Sequence, residues 1–336
     1  MPTFRVLIDM PSSQGAIGDL YNFKLDPSLT LGCGTKSGSS ISENLAVHHL
    51  LNIKTIAKKT ENMLWFKVPG QIFFKRGILN EALKSLPEET KRVMIVTDKT
   101  MTQLGHVENL LQLLKQHHFI TAVYDNVLPD PTFQCVKDGV KEFQQFQPDC
   151  VIAFGGALWC RLFLTLYSLG GSPMDSAKIM RLMYEHPEVH IEDLTTRFMD
   201  IRKRVMTFPK KGTKVHTLVC LPTTSGTGAE VTPFAVLTGD DGRKYPICSY
   251  HLTPEMAIVD PLYSVKMPKT LTANTGYDAM VHAIESYVSV VASDYTRALS
   301  KQGLQMIYQN LEKAYNNPSN EQYRELVHNG SCIAGM

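Results

Sequence analysis

The sequence predicts an α/β fold: a doubly wound parallel sheet, followed by an all-helical domain that is only begun. Three observations carry this. The chain has 336 residues of which 43% are apolar, enough for about two domains with full cores. From position 71 onward, strand-length apolar runs alternate with longer amphipathic runs, the cadence of parallel strands joined by right-handed crossovers. After Pro268 the strands stop, and apolar positions recur only at helical spacing.

The elements follow in chain order. Residues 1–60, rich in Gly, Ser and Lys around 32–42, show no pattern long enough to form a domain and read as an arm or tail. Arg92-Val-Met-Ile-Val-Thr97 is a strand, and 107–117, with leucines at 110, 111, 113 and 114, is a helix. Residues 121–127 form the second strand, closed by the turn Leu128-Pro-Asp-Pro-Thr132. A helix over 136–146 leads to the fully apolar strand Asp149-Cys-Val-Ile-Ala-Phe154, which runs into Gly155-Gly156. A further strand spans 217–221. Helices are predicted over 271–290, 294–315 and 321–334, the last two separated by Asn316-Asn-Pro-Ser-Asn320. The domains are therefore drawn at 1–60, 61–265 and 266–336.

Composition narrows the function. Lys+Arg number 34 against 32 Asp+Glu, a net charge of +2, too balanced for a surface built to neutralise nucleic acid or anionic lipid. The expected partner is a small molecule. Seven cysteines (33, 135, 150, 160, 220, 248 and 332) include no Cys-x-x-Cys pair, so they are expected to be buried thiols of a reducing compartment. The opening MPTFRVLIDMPSS lacks the basic and apolar regions of a secretory signal, and the expected location is cytoplasmic. Between Asp149 and Asp175 the only charged residue is Arg161. A membrane span there is rejected, because glycines 155, 156, 170 and 171 interrupt it and Arg161 would cost ~2.5–3.5 kcal/mol at mid-bilayer.

Several residues could carry chemistry. No G-x-G-x-x-G or Walker sequence occurs. Instead the third strand ends in Gly155-Gly156, and Gly171-Ser-Pro-Met-Asp-Ser-Ala-Lys178 offers Ser172 as helix N-cap, Pro173 at the first helical position and Asp175 in a capping-box-like position. Free N–H groups at such a helix start suit a pyrophosphate, although a plain helix cap accounts for the same residues. Asp98, directly after the first strand, could accept two ribose hydroxyls and would repel a 2'-phosphate, favouring NAD; it could equally cap the next helix. Pro222-Thr-Thr-Ser-Gly-Thr-Gly-Ala-Glu230 packs small hydroxyl donors into a turn after a strand. Asp278 and His282, four residues apart, project from one helix face where one divalent ion can reach both; an ordinary helix-surface hydrogen bond is the alternative. Oxygen and imidazole ligands suit Fe(II), Zn(II) or Mn(II). His328, on the last helix, reads as a solvated or capping residue.

Taken together, the glycine-rich loop with S-P-x-D-x-x-K, the P-T-T-S-G-T-G-x-E turn and G-x-D-A-x-x-H resemble the iron-containing alcohol dehydrogenase family. The resemblance runs from Glu61-Asn-Met-Leu-Trp65 through Ala334, and is closest to the alcohol dehydrogenase half of bifunctional aldehyde-alcohol dehydrogenases. Phe198-Met-Asp-Ile-Arg-Lys-Arg204, Val231-Thr-Pro-Phe-Ala235, Lys244-Tyr-Pro246 and Tyr287-Val-Ser289 carry that narrower likeness. Residues 11–59 are similar to the end of the aldehyde dehydrogenase half and its linker, without its thiol-bearing catalytic part.

The resemblance implies a Rossmann-like sheet in a dehydroquinate synthase-like fold, with NAD and a divalent metal, Fe(II) foremost and Zn(II) next, as cofactors. It implies that Gly155, Gly156, Gly171 and Ser172 hold the pyrophosphate and Asp98 the adenosine ribose, with Asp175 also at the cofactor site. Thr223, Thr224 and Thr227 would line the same cofactor, with Lys244 near the nicotinamide ribose. Asp278 and His282 would be two of four metal ligands, placing a Lewis acid beside the nicotinamide. The substrates would be short primary alcohols and aldehydes, and a homo-oligomer the expected assembly.

The sequence departs from the family in two places. Residues 157–170, largely apolar, separate Gly156 from Gly171 where the family's glycine loop is continuous; they read as an insertion that parts the strand end from the helix start. The family's other two ligands are histidines expected beyond Met336, so the metal site within these residues is expected to be incomplete, and a non-catalytic fragment that keeps only dinucleotide binding or self-association is the competing expectation.

Overall fold

The computed structural model describes residues 5–8, 55–58, 66–156, 172–194, 209–290 and 292–336. They fall into two compact units. The first contains β1 (Arg5–Ile8) and β2 (Thr55–Lys58), paired in parallel from Arg5↔Thr55 to Ile8↔Lys58. The sequence suggested no strands in this arm: four-residue strands are too short to show a period.

The second unit is built on a six-stranded parallel sheet. Its strands are β3 (Gln71–Phe74), β4 (Arg92–Val96), β5 (Ile120–Tyr124), β6 (Cys150–Gly155), β7 (Thr217–Pro222) and β10 (Met256–Val259), in the order β3-β10-β7-β6-β4-β5. β6 and β7 are buried along their whole length, which is why they read as unbroken apolar runs rather than alternating ones. β8 (Phe234–Thr238) and β9 (Lys244–Cys248) form a separate antiparallel hairpin after β7. Its signal was present in the sequence as Asp241-Gly242 between two short runs.

Helices α1 (Leu79–Leu83) and α3 (His106–Gln116) cover one sheet face. Leu83, Leu110 and Leu114 pack there with Val93, Ile95, Ile152 and Val219 in one buried cluster, and each such side chain contributes ~1.5–3 kcal/mol by leaving water. α4 (Phe133–Phe146), capped by the Thr132 hydroxyl accepting from the Cys135 N–H, packs with α5 (Ser172–Glu185), which lies against β6. β5 lies on one side of β4 and β6 on the other, so the chain reverses direction across the sheet between β4 and β6. Ligands of open α/β sheets bind at the carboxyl end of such a reversal.

The remaining helices stack on one another: α6 (Lys269–Val288), α7 (Asp294–Asn316) and α8 (Glu321–Gly335). Ser293 and Thr296 form a capping box that starts α7. Arg324 is buried and donates to the Thr272 hydroxyl, Met267 O and Pro318 O, fastening α8 to the start of α6. α6 buries Thr275, Gly276, Ala279 and Ala283 and exposes Tyr277, Val281, Ile284 and Val288. The parallel sheet and following helices agree with the predicted fold class. Among the described residues no helix is long and apolar enough to cross a membrane; residues 157–171 lie outside them. Cys135, Cys150, Cys220 and Cys332 are buried thiols as expected, whereas Cys248 is exposed at the end of β9, a correction to the expectation that all would be buried.

Candidate active site

Two groups of the predicted residues come together, one at the sheet edge and one around a cavity. At the sheet edge, Asp98 ends the β4 run and caps α2 (Lys99–Gln103): its Oδ1 accepts from the N–H of Thr100 at 2.8 Å and of Met101 at 3.1 Å. Its Oδ2 is buried with no hydrogen-bond partner among the described residues. Burial pushes this carboxyl above its usual range, while the cap bonds pull the other way. The helix-cap expectation for Asp98 holds: one oxygen caps, and the other is left without a donor among the described residues.

Gly155 sits opposite. Its φ of +150° lies outside the range of ordinary L-residues, and a Cβ there would come within 2.7 Å of Pro173 Cγ and 3.2 Å of Asp98 Oδ2. Thr223 N–H donates to Gly155 O at 3.3 Å. Gly156 approaches Thr224 so closely that a Cβ would lie 2.5 Å from its Oγ1. Asp98, Gly155, Gly156, Thr223 and Thr224 therefore form one cluster at the carboxyl ends of β4, β6 and β7. Gly171 lies outside the described residues.

Beside it lies a cavity of about 670 Å³, bounded by the turn after β5, the start of α5, the β8–β9 hairpin, α6 and the end of α8. Ser172, Asp175, Thr227, Lys244, Asp278 and His282 all line it. Ser172 Oγ donates to Pro129 O, tying the α5 start to the β5 turn. Asp175 Oδ2 accepts from Val236 N–H at 3.1 Å, and burial pushes its carboxyl up to about 6 against the pull of Lys178. Lys178 itself is buried and donates to Ala229 O, Thr232 O and Phe234 O at 2.8, 2.9 and 2.7 Å. One ammonium thus fixes the chain that enters β8, and burial pushes its pKa down. Lys244 is exposed and paired with Asp130 across the cavity mouth, a partner the sequence did not suggest.

Asp278 and His282 face the cavity from α6, with His282 Nε2 3.6 Å from Asp278 Oδ1. Their side chains are 11% and 38% exposed. Asp278 Oδ2 is buried without a partner among the described residues, and burial together with Glu285 raises its pKa. A buried carboxylate oxygen lacking a donor, beside an imidazole one turn on, is a donor set that a divalent cation fits. Among the described residues no group of three or more His, Cys, Asp and Glu could hold a metal.

His328 is where the structure overturns the sequence. It is neither solvated nor capping: it is 1% exposed, and its Nδ1 lies 2.9 Å from Ser225 Oγ. Nothing local could reveal a partner 103 residues away. Burial pushes its imidazole down to about 4, against about 6.5 in an unfolded chain. The neutral form is therefore favoured by folding. The associated stability, on the order of 3 kcal/mol, is present in full above pH 6.5 and lost as pH falls toward 4. Urea unfolding of His328→Asn against pH is expected to show a shallower acid-side loss than wild type; parallel curves would contradict this.

The family model described as "Iron-containing alcohol dehydrogenase" matches residues 69–159 and 170–261, and the "Fe-containing alcohol dehydrogenase family, C-terminal" model matches 272–336. The chain belongs to the iron-containing alcohol dehydrogenase family. The family match skips the residues between 159 and 170, within the segment read as an insertion. The bifunctional aldehyde-alcohol dehydrogenase AdhE of Escherichia coli K12 is 49% identical over 339 residues, covering 100% of this chain and 36% of that protein. The aldehyde-alcohol dehydrogenase of Clostridium acetobutylicum is 46% identical over 340 residues, covering 100% of this chain and 38% of its own. The iron-containing alcohol dehydrogenase of Thermococcus thioreducens superposes with a TM-score of 0.70 at 25% identity, covering 81% of this chain and 66% of that one. This family member therefore spans little more than a third of the bifunctional relatives, and its sheet and helices have the dehydroquinate synthase-like fold of the solved relatives.

Proposed function

We propose that this chain carries the cofactor-binding part of an NAD-dependent, iron-type alcohol dehydrogenase that interconverts short primary alcohols and aldehydes. One observation carries the reading. Asp278 and His282 face, from one helix, a cavity whose opposite wall is the start of α5 at the carboxyl edge of the sheet. Residues 1–60 are read as the end of an aldehyde dehydrogenase half with its linker, 61–265 as the NAD-binding domain and 266–336 as the start of the metal-binding helical domain.

Asp98 Oδ2 would take the adenosine ribose hydroxyls, and Gly155, Gly156 and Ser172, with Gly171, would hold the pyrophosphate, while Asp175 lines the same cofactor cavity and fixes the Val236 N–H. The glycines leave room for backbone N–H groups to approach it. Thr223, Thr224 and Thr227 would line the same cofactor, and Lys244, which lines the cavity with Thr227, would lie near the nicotinamide ribose. Asp278 and His282 would hold Fe(II), with Zn(II) a less suited alternative. When bound, the cation supplies Lewis-acid polarisation of the substrate oxygen and NAD supplies the hydride acceptor. The chain's own contribution is placement. The Pro129, Pro131, Phe234 and Val236 walls of the cavity would favour a short apolar chain.

Fluorescence titration with NADH, then with Fe(II) under anaerobic conditions, followed by ethanol oxidation, tests this. Binding of both with turnover that His282→Ala abolishes supports it; no NADH binding at any metal concentration would contradict it. A second reading is favoured by the absence of a third ligand among the described residues: a catalytically inactive fragment that keeps only dinucleotide binding or self-association. It predicts NADH binding without metal-dependent oxidation.

Asp98→Gly is expected to relax cofactor preference toward NADPH by about tenfold, since the carboxylate that repels a 2'-phosphate is gone. Direct titration with NADH and NADPH checks this, and an unchanged ratio would remove Asp98 from the ribose site.

A further inference from the structure

The turn 222–230, which carries Thr223, Thr224 and Thr227, is held from behind by one face of α8. Ser225 Oγ bonds to His328 Nδ1 at 2.9 Å, and Ser331 Oγ donates to Gly226 O at 3.2 Å. Glu230, buried at the end of the turn, is bonded by the Cys332 thiol. Gly228, at φ +63°, touches Gly335 backbone to backbone, so that a Cβ on Gly228 would lie 2.7 Å from Gly335 Cα. Positions 328, 331, 332 and 335 follow the i, i+3, i+4, i+7 pattern of a single helix face.

His328 is the distinctive member of this set. It is fully buried, and its Nε2 has no hydrogen-bond partner among the described residues. A buried nitrogen without a partner destabilises the fold, so leucine would serve packing better than imidazole. What the imidazole provides and leucine cannot is the bond that fixes the Ser225 hydroxyl.

We propose that α8 templates the threonine-rich turn and that His328 is a positioning residue, holding Ser225 so that the hydroxyls of Thr223, Thr224 and Thr227 meet the dinucleotide. The bond orients the middle of the turn, and the Ser331 and Gly335 contacts fix its far side. His328 touches neither cofactor nor metal, and its effect on binding passes through Ser225. This rests on the dinucleotide reading of the same turn.

The test compares four variants of the full chain: His328→Leu, His328→Asn, Ser225→Ala and the His328→Leu/Ser225→Ala pair. NADH affinity is read by fluorescence, amide hydrogen exchange over 223–228 by mass spectrometry, and stability by urea midpoint. Asn can donate or accept where Nδ1 sits, so it is expected to keep near wild-type affinity and exchange. His328→Leu and Ser225→Ala are each expected to weaken NADH about tenfold and to speed exchange in the turn, with the urea midpoint of His328→Leu not lowered. The pair should be no weaker than either single variant, because both remove one bond. Wild-type exchange in a folded His328→Leu would overturn the proposal. So would additive losses, or failure of Asn to rescue. If wild type binds no NADH, the dinucleotide reading fails, and the exchange data still decide whether His328 positions the turn.

Discussion

Replacing His282 by alanine is expected to weaken binding of a divalent cation, read with Co(II) as a spectroscopic stand-in for Fe(II), by roughly a hundredfold or more. Loss of partners that merely orient metal ligands costs about 10–100-fold, and loss of a ligand itself costs at least as much. The two side chains approach to 3.6 Å on one face of α6, and among the described residues no third ligand stands by to compensate. The surviving Asp278 would keep one buried carboxylate oxygen without a donor. Titration of the Co(II) absorption bands checks this, with NADH affinity measured alongside. NADH binding is expected to survive the change, because the sheet-edge cluster does not include His282. Unchanged Co(II) affinity would show that the pair is an ordinary helix-surface contact.

Gly155→Val has the other large effect. The residue adopts φ +150°, and a Cβ there would overlap Pro173 at 2.7 Å while crowding Asp98 Oδ2 at 3.2 Å. Pro173 opens α5, so the clash would part β6 from the helix start. A β-branched residue in this backbone region costs roughly 1–3 kcal/mol in strain, and overpacking adds about 1–3 kcal/mol. We expect a urea-midpoint loss corresponding to several kcal/mol, and NADH binding below detection in whatever fraction folds. A variant with wild-type stability and affinity would show that this close approach is not required.

Much of this was legible in the sequence where the signal is local. β6 announces itself as an apolar run ending in glycine because both its faces are buried, and α7 and α8 because their apolar faces repeat at helical period. Asp278 and His282 are legible because four residues is one helical turn. What escaped was either too short or too distant. β1 and β2 are four residues each, shorter than any period can register. Asp130 and Lys244 are 114 residues apart, Ser225 and His328 103. Each pair is created only by the stacking of elements, so a buried histidine on α8 reads in one dimension like any polar helix residue. Asp98 shows a third kind of limit. Sequence offered a helix cap and a ribose ligand as alternatives; the fold commits one carboxylate oxygen to the cap and leaves the other without a partner among the described residues.

On the proposed reading, a cation held by Asp278 and His282 would share one cavity with the nicotinamide end of NAD. Paramagnetic relaxation tests this: the C4 proton of bound NAD is observed by NMR while Co(II) is added to the chain. Strong broadening of that proton in wild type, absent in the Asp278→Ala/His282→Ala variant at equal Co(II), is the expected result. Saturating Co(II) and NAD with a sharp C4 resonance would contradict it, as would broadening that persists in the variant.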